Sequence, residues 1–295
     1  VDEVSDGARI STSFAAGGRI RSENVGVVRH LGPEIARGSR SSVRAWGNDA
    51  VAKVPLPTTP NAWILFEARY SAAVHAVGAP VPRLLGVEEI DGRTVSIFER
   101  VWGPSMWERI TADPSSGARD AVELAQLHHR LLSLPPPPTL PRQLDRFACK
   151  IRRAAASVSS GLAGLLPGLP ADAPVYRLCH GDLHPGNVLV SADGPVVIDW
   201  FDASRGDPVL DVARTMVLLG AIGPTTILPV HLPGATPALL RDMHEAYLDR
   251  ILHLRGLSAD DVAAARVFAV AARLAEGLER DELLRALTPG VFRDA

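Results

Sequence analysis

The stretch Cys179-His180-Gly181-Asp182-Leu183-His184-Pro185-Gly186-Asn187 constrains the chain more than any other. It gathers two His, one Asp and one Asn in a loop punctuated by Gly and Pro. The loop then enters the apolar run Val188-Leu189-Val190, which reads as a strand. A second apolar strand, Val196-Val197-Ile198, ends in Asp199-Trp200, and Asp193-Gly194 between them is a hairpin turn signal. Such a hairpin carries Asn187 at its entry and Asp199 at its exit. Two oxygen ligands then meet at one end, where they suit a hard cation. Asp182 precedes Asn187 by five residues and is free on the loop.

With 295 residues the chain can bury a sizeable core, as one large domain or two lobes. A net charge of −2 points to neither nucleic acid nor an acidic membrane surface. No apolar run approaches the ~20 residues of a membrane span. Two cysteines, Cys149 and Cys179, are too few for a disulfide framework and fit a reducing cytosol, so a cytoplasmic location is expected. Residues 1–24 are polar and Gly/Ser-rich, unlike a signal peptide, and read as a flexible arm. Of 31 basic residues only Lys53 and Lys150 are lysine, which leaves 31 − 2 = 29 arginines. Where a surface charge suffices, this chain uses Arg. A Lys is therefore a departure, suited to a role for a compact ammonium.

Strands are expected over 27–36, 43–46 and 50–54, with the Gly/Ser turn Arg37 to Ser42 between the first two. That turn either cradles phosphates with backbone N–H groups near Ser39 or is a plain hairpin turn. No Walker-type P-loop occurs. Residues 61–77 are helical in pattern, with Trp63, Ile64, Phe66, Tyr70 and Val74 apolar and Glu67 the only acid. Lys53 and Glu67 can form an ion pair that aims the ammonium at a phosphate, or Glu67 can be an unrelated surface residue. Further strands follow over 83–87 and 94–101 around Asp91-Gly92. Trp102-Gly103-Pro104 then breaks the pattern. Residues 25–100 thus form a sheet-rich N-lobe, 101–104 a hinge and 105–295 a mostly helical C-lobe. The extended connector Glu99-Arg100-Val101 offers backbone groups to an adenine edge.

Helices are expected over 120–134, 144–166 (frayed at Ser157 to Gly161), 208–219, 238–254, 258–274 and 275–287. His128 lies in line with Leu124, Leu127 and Leu131, as a core or interface histidine does. Asp207 is an N-cap before Pro208, and Asp211 suits the helix dipole in the first turn.

Phosphoryl transfer needs phosphates held by a Lys, Mg²⁺ held by oxygens and a carboxylate to take the acceptor proton. Lys53, Glu67, Asp182, Asn187 and Asp199 supply these in order. The Asp-x-x-x-x-Asn spacing with a hairpin-borne Asp matches the protein-kinase catalytic loop and metal Asp.

His180 to Asn187 followed by Ile198-Asp199-Trp200 resembles the aminoglycoside phosphotransferase and choline kinase-like family. Phe98-Glu99-Arg100-Val101-Trp102-Gly103 resembles that family's hinge. Leu124-Ala125-Gln126-Leu127-His128 resembles one of its helices, and Gly206-Asp207-Pro208 with Asp211 resembles its stretch after the metal Asp. The resemblance implies an α+β, bilobal, protein-kinase-like fold and a small-molecule O-phosphotransferase. It implies Asp182 as base, Asn187 and Asp199 on Mg²⁺, Lys53 on the phosphates held by Glu67, and the backbone of Glu99 and Val101 on adenine. His184 stands either near the transferred phosphate or in loop packing. ATP is the expected donor, with GTP open because the nucleotide loop lacks a clean glycine pattern.

A protein kinase would need a long activation segment after the metal Asp, but Gly206-Asp207-Pro208 follows Asp199 almost at once. A dead nucleotide-binding protein would lack one of Lys53, Asp182, Asn187 or Asp199. The expected partner is therefore a small-molecule hydroxyl acceptor, with no nucleic acid, membrane or protein partner indicated. An aminoglycoside-type antibiotic, and with it a resistance role, is the first expectation. Macrolides, choline, ethanolamine, thiamine and homoserine are the alternatives. Aminoglycosides are polycations, so an acid-lined site is expected for them. Asp202 and Glu276 are the acidic candidates for substrate contact. Glu245, Asp249, Glu279, Asp281 and Glu282 alternate with arginines and read as a solvated face.

Overall fold

The computed structural model describes residues 31–170, 173, 175–222, 225, 226, 229, 231–277 and 283. The N-terminal arm and the start of the first expected strand lie outside them. So does most of the helix expected over 275–287, of which residues 275–277 form a turn.

Five antiparallel strands come first: β1 (Glu34–Arg37), β2 (Ser41–Ala45), β3 (Ala50–Pro55), β4 (Leu84–Ile90) and β5 (Arg93–Glu99), in the order β1-β2-β3-β5-β4. The β-branched and alternating residues of β3 and β5 fill the centre, where Ala52, Val54, Val95 and Ile97 are buried. Lys53 lies opposite Val43 on one side and Ser96 on the other, so it projects from a central strand rather than an edge. Helix α1 (Asn61–Ala76) packs on this sheet and buries Ile64, Glu67, Ala68, Ser71 and Val74. Phe66, apolar in the helical pattern, is exposed and stacks on Tyr70. The helical period puts Glu67 on the buried face and turns Phe66 outward.

The remainder is mostly helical: α2 (Met106–Ala112), α3 (Gly117–Leu131), α4 (Gln143–Ser157), α5 (Pro208–Leu218), α6 (Pro237–Arg255) and α7 (Ala259–Leu274). A reciprocal Ser105–Glu108 capping box starts α2. Asp207 caps α5 through Val209 N–H at 2.7 Å. The helix expected over 144–166 is two elements. After Ser157 the chain continues as a 3₁₀ turn over Ser160–Gly168, because Ser159, Gly161 and Pro167 do not sustain an α-helix. Helix α3 packs on α6, and α5 on α7, around fully buried Leu124, Leu127, Leu131, Met243, Tyr247 and Ile251. Each such side chain contributes about 1.5–3 kcal/mol on burial.

Four short strands hold the loop of interest between these helices. Strand β6 (Arg177–Cys179) pairs with β9 (Ser204–Gly206), and β7 (Val188–Ser191) forms a hairpin with β8 (Gly194–Val197). The connector from β5 crosses this hairpin closely. Val190 N–H donates to Pro104 O at 2.8 Å, and a Cβ on Gly103 (φ +141°) would fall 2.0 Å from Val190 O. Only glycine permits that approach.

Candidate active site

The loop from His180 to Asn187 is fixed by buried polar contacts. Asp211, in the first turn of α5, accepts His180 N–H at 2.9 Å, Gly181 N–H at 2.8 Å and His128 Nε2 at 3.0 Å. Burial alone would raise its carboxyl, but His128 and then the His180 contacts hold it below the ordinary aspartate range. His128 Nδ1 in turn meets Tyr247 Oη at 2.6 Å, which ties the loop through α3 to α6. His180 is also buried, and burial lowers its pKa. Its Nδ1 accepts Asp182 N–H at 3.1 Å, so Nε2 carries the proton and donates to Ile198 O at 3.1 Å. Trp200 anchors the far end, with its ring edge-on to His180 and its Nε1 donating to Val197 O. Gly181 (φ +77°) makes the sharp reversal, and a Cβ there would sit 2.5 Å from Asp202 O.

These constraints present Asp182, whose side chain keeps 27 % of its surface. Asn187 Nδ2 donates to Asp182 O at 2.8 Å and to its Oδ2 at 3.3 Å. Burial pushes the Asp182 carboxyl up to about 6, against the opposing pull of Arg214. Asn187 closes the hairpin, its carbonyl accepting Ile198 N–H at 3.0 Å. With its amide nitrogen committed to Asp182, its Oδ1 is the acceptor left for another partner. Asp199 stands in the left-handed region (φ 63°, ψ 63°), a costly backbone for a non-glycine and one that recurs at functional sites. An amide oxygen and a carboxylate form a hard donor set that fits a Mg²⁺ ion taking its other ligands from phosphates and water.

Lys53 spans from the sheet to this hairpin. Its ammonium pairs with Glu67 and lies 3.4 Å from Asp199 Oδ1. Burial opposes its charge, yet Asp199 and Glu67 outweigh it and keep the ammonium protonated. Ser39, Lys53, Glu67 and Asp199 line one cleft. Arg40, from the turn after Ser39, closes over Trp63 and Phe201 at 5.3 and 4.9 Å from their centroids. In the connector, Glu99 N–H is taken by Arg83 O. Val101 N–H and C=O have no hydrogen-bond partner among the described residues, as an adenine-contacting segment requires.

The remaining candidates lie on the acceptor side or in the loop. His184 is buried against His231, with ring centroids 4.4 Å apart, and its Nδ1 accepts Gly186 N–H. Burial and then His231 hold its pKa well below the ordinary range, so a neutral ring packs the loop. Asp202 contacts Lys150 at 3.0 Å and Arg146 at 3.4 Å. Glu276 contacts Arg214 at 2.5 Å, Arg273 at 2.6 Å and Lys150 at 3.0 Å. Burial opposes the Glu276 charge, but these three cations, Arg214 foremost, hold it well below the ordinary glutamate range. Glu245 and Asp249 are exposed on α6, while Glu279, Asp281 and Glu282 lie outside the described residues.

Sequence reasoning passed over Arg40, Arg146, Lys150 and Arg214 as site residues. Arginine is so abundant here that its presence carries little signal. Lys150 had one, as the second of only two lysines.

A model of the phosphotransferase enzyme family (APH) matches residues 34–232. No curated protein sequence matches the chain. Among solved structures, an aminoglycoside-3'-phosphotransferase of type VIII superposes with a TM-score of 0.58 at 22 % identity, over 83 % of this chain and 93 % of its own. The aminoglycoside phosphotransferase APH(3'')-Id from Streptomyces rimosus gives 0.59 at 19 % identity, over 80 % and 89 %. An APH(2'')-IIIa structure in complex with GDP and kanamycin gives 0.53 at 17 %, over 90 % and 92 %. At these identities the likeness is one of fold. The chain belongs to the phosphotransferase enzyme family and is a small-molecule phosphotransferase with a protein-kinase-like fold.

Proposed function

We propose that the protein transfers the γ-phosphate of ATP to a hydroxyl of a small molecule. One observation carries the reading. The Lys53 ammonium reaches Asp199 at 3.4 Å, on the hairpin whose entry residue, Asn187, hydrogen-bonds the Asp182 carboxylate. Phosphate-holding, metal-holding and proton-accepting groups therefore converge at one end of this hairpin, Lys53 from the sheet and Asp182 from the preceding loop. Asn187 and Asp199 would hold Mg²⁺, which supplies charge neutralisation on the phosphates when bound. Lys53, braced by Glu67, binds phosphate oxygens, and Ser39 lies where backbone N–H groups can meet them. The connector at Glu99 and Val101 takes the base through the free groups of Val101 and the Glu99 carbonyl. Asp182 accepts the acceptor's hydroxyl proton as the oxygen forms its bond to phosphorus and the bond to the departing nucleoside diphosphate breaks. Neighbouring structures carry GDP in one case and ATP in another, so GTP belongs in the same assay.

The fold neighbours, one bound to kanamycin and others to streptomycin, support an aminoglycoside-type acceptor. The charges beside Asp182 favour a second class, the metabolite alcohols, because the Asp202 and Glu276 carboxylates are already engaged by cations. Nucleotide consumption with Mg²⁺ is the test, measured against aminoglycosides, macrolides, choline, ethanolamine, thiamine and homoserine. Asp182-dependent turnover of any alcohol supports phosphoryl transfer. Activity confined to a metabolite would overturn the resistance role.

A further inference from the structure

The acceptor side of Asp182 is built for negative charge. A cleft beside Gly181 and Asp202 is lined by Gln143, Arg146, Lys150 and Arg214. Arg146, Lys150, Arg214 and Arg273 place four cations around two carboxylates, Asp202 and Glu276. Those carboxylates have no oxygen to spare. Asp202 Oδ1 meets Arg146 and Oδ2 meets Lys150. Glu276 Oε1 meets Arg214 and Lys150, and Oε2 meets Arg273. A polycation entering here would meet four cations, with the partly exposed Asp182 as the acid opposing them.

The donors, by contrast, are incompletely used. Arg214 and Gln143 are each only 2 % exposed. Arg214 gives Nε to Gly181 O at 3.1 Å and Nη2 to Glu276, while Nη1 has no hydrogen-bond acceptor among the described residues. Gln143 Oε1 accepts Asp207 N–H at 2.8 Å, which fixes the orientation of its amide. Its Nε2 is then a committed donor, also buried and without an acceptor. Among the several such donors of the described residues, these two belong to side chains that line one cleft, where a ligand or water can meet them. Lys150 adds a compositional observation. The chain departs from arginine only twice, once at the nucleotide cleft and once here.

We infer that the acceptor is an anionic alcohol, a small hydroxyl compound whose carboxylate or phosphate is taken by Arg214 and Gln143 between α4 and α5. The inference rests on the phosphotransferase reading above and specifies its substrate class. Arg214 Nη2 lies 3.5 Å from Asp182 Oδ1, so the anionic group and the reactive hydroxyl are close together on the acceptor. The cations that bind this group also offset its repulsion from the incoming phosphoryl group.

Four probes separate the possibilities in calorimetric titrations of the ADP-loaded protein: on one glucose core, glucuronate for a carboxylate, glucose 6-phosphate for a phosphate and glucose as the neutral control, with kanamycin as the polycation. One or both anions are expected to bind at least ~10-fold tighter than glucose, about 1.4 kcal/mol, with kanamycin weakest. Preference between the two anions identifies the source of charge. Gln143→Glu keeps the oxygen that accepts Asp207 N–H but replaces the donor with a negative charge. It is expected to abolish the preference for anions while leaving the ADP affinity unchanged. Anions binding no tighter than glucose, or kanamycin binding tightest, would overturn the inference. Failure of the underlying reading shows separately, as nucleotide turnover indifferent to Asp182→Asn.

Discussion

Arg214 and Asp211 lie one helical turn apart on α5 and hold the loop from His180 to Asn187 from two sides. The Asp211 carboxylate accepts the N–H groups of His180 and Gly181. The Arg214 guanidinium donates to the carbonyl of that same Gly181 and reaches Asp182 at 3.5 Å. A single buried turn of helix therefore satisfies both faces of one peptide segment and sets the position of Asp182.

Asp211→Asn is nearly isosteric, yet it replaces an oxygen that meets N–H donors with an amide that is itself a donor. Losing charged acceptance at three buried contacts is expected to cost about 2–5 kcal/mol. Denaturant unfolding reads this. His128→Phe, which removes one donor and fills its space, is expected to cost less.

Removing Arg214 leaves Glu276 with two cations and Gly181 O without its side-chain donor. Breaking such a buried network costs ~3–5 kcal/mol. Arg214→Ala should lower the unfolding midpoint accordingly. Arg214→Lys should recover part of the loss, because an ammonium keeps the charge but cannot span Gly181 O and Glu276 together. Equal midpoints for the two variants would contradict this assignment.

Gly181→Ala meets two penalties, a left-handed backbone and a Cβ 2.5 Å from Asp202 O. Gly234 has a similar φ of +80° with open space around it, so Gly234→Ala meets only the first. The first penalty is about 1–2 kcal/mol. The Gly181 variant should be less stable than its Gly234 counterpart and lose turnover, with nucleotide affinity retained. Identical stabilities would show that the close approach carries no energy.

The pH dependence follows from Glu276, whose folded pKa is depressed by its three cations. A depressed carboxyl contributes stability above its unfolded pKa, and that contribution disappears as pH falls through the folded value. Wild type should therefore exceed Glu276→Gln in stability most at neutral pH. The gap should narrow progressively below the ordinary glutamate range. A gap constant from pH 7 to pH 3 would contradict the ionised network.

Much of the architecture was legible because each signal was local. The hairpin follows from Asp193-Gly194 between two apolar runs, and the Asp207 cap follows from its place before Pro208. The division of the helix expected over 144–166 was marked by Ser157 to Gly161, but its 3₁₀ continuation depends on packing. Phe66 is exposed because Glu67 claims the buried face, and apolar character alone does not decide between them. The sequence leaves Lys53 and Glu67 as either an ion pair or unrelated residues, and the packing of α1 against the sheet makes them the pair. The acceptor side was the least legible. Glu276 is expected as a substrate contact, and only the fold brings Arg214, Lys150 and Arg273 onto it from three separate helices.

The most direct test of the central claim compares wild type with Asp182→Asn under saturating ATP and Mg²⁺, following by mass spectrometry the phosphoryl group gained by an acceptor alcohol. Asn preserves the shape, and its single amide oxygen can accept from Asn187 or Arg214, but it cannot accept the proton. The variant is expected to bind ADP as wild type does while kcat falls by ~10²–10⁴. Transfer at the wild-type rate would contradict Asp182 as the base and the account of the site built on it.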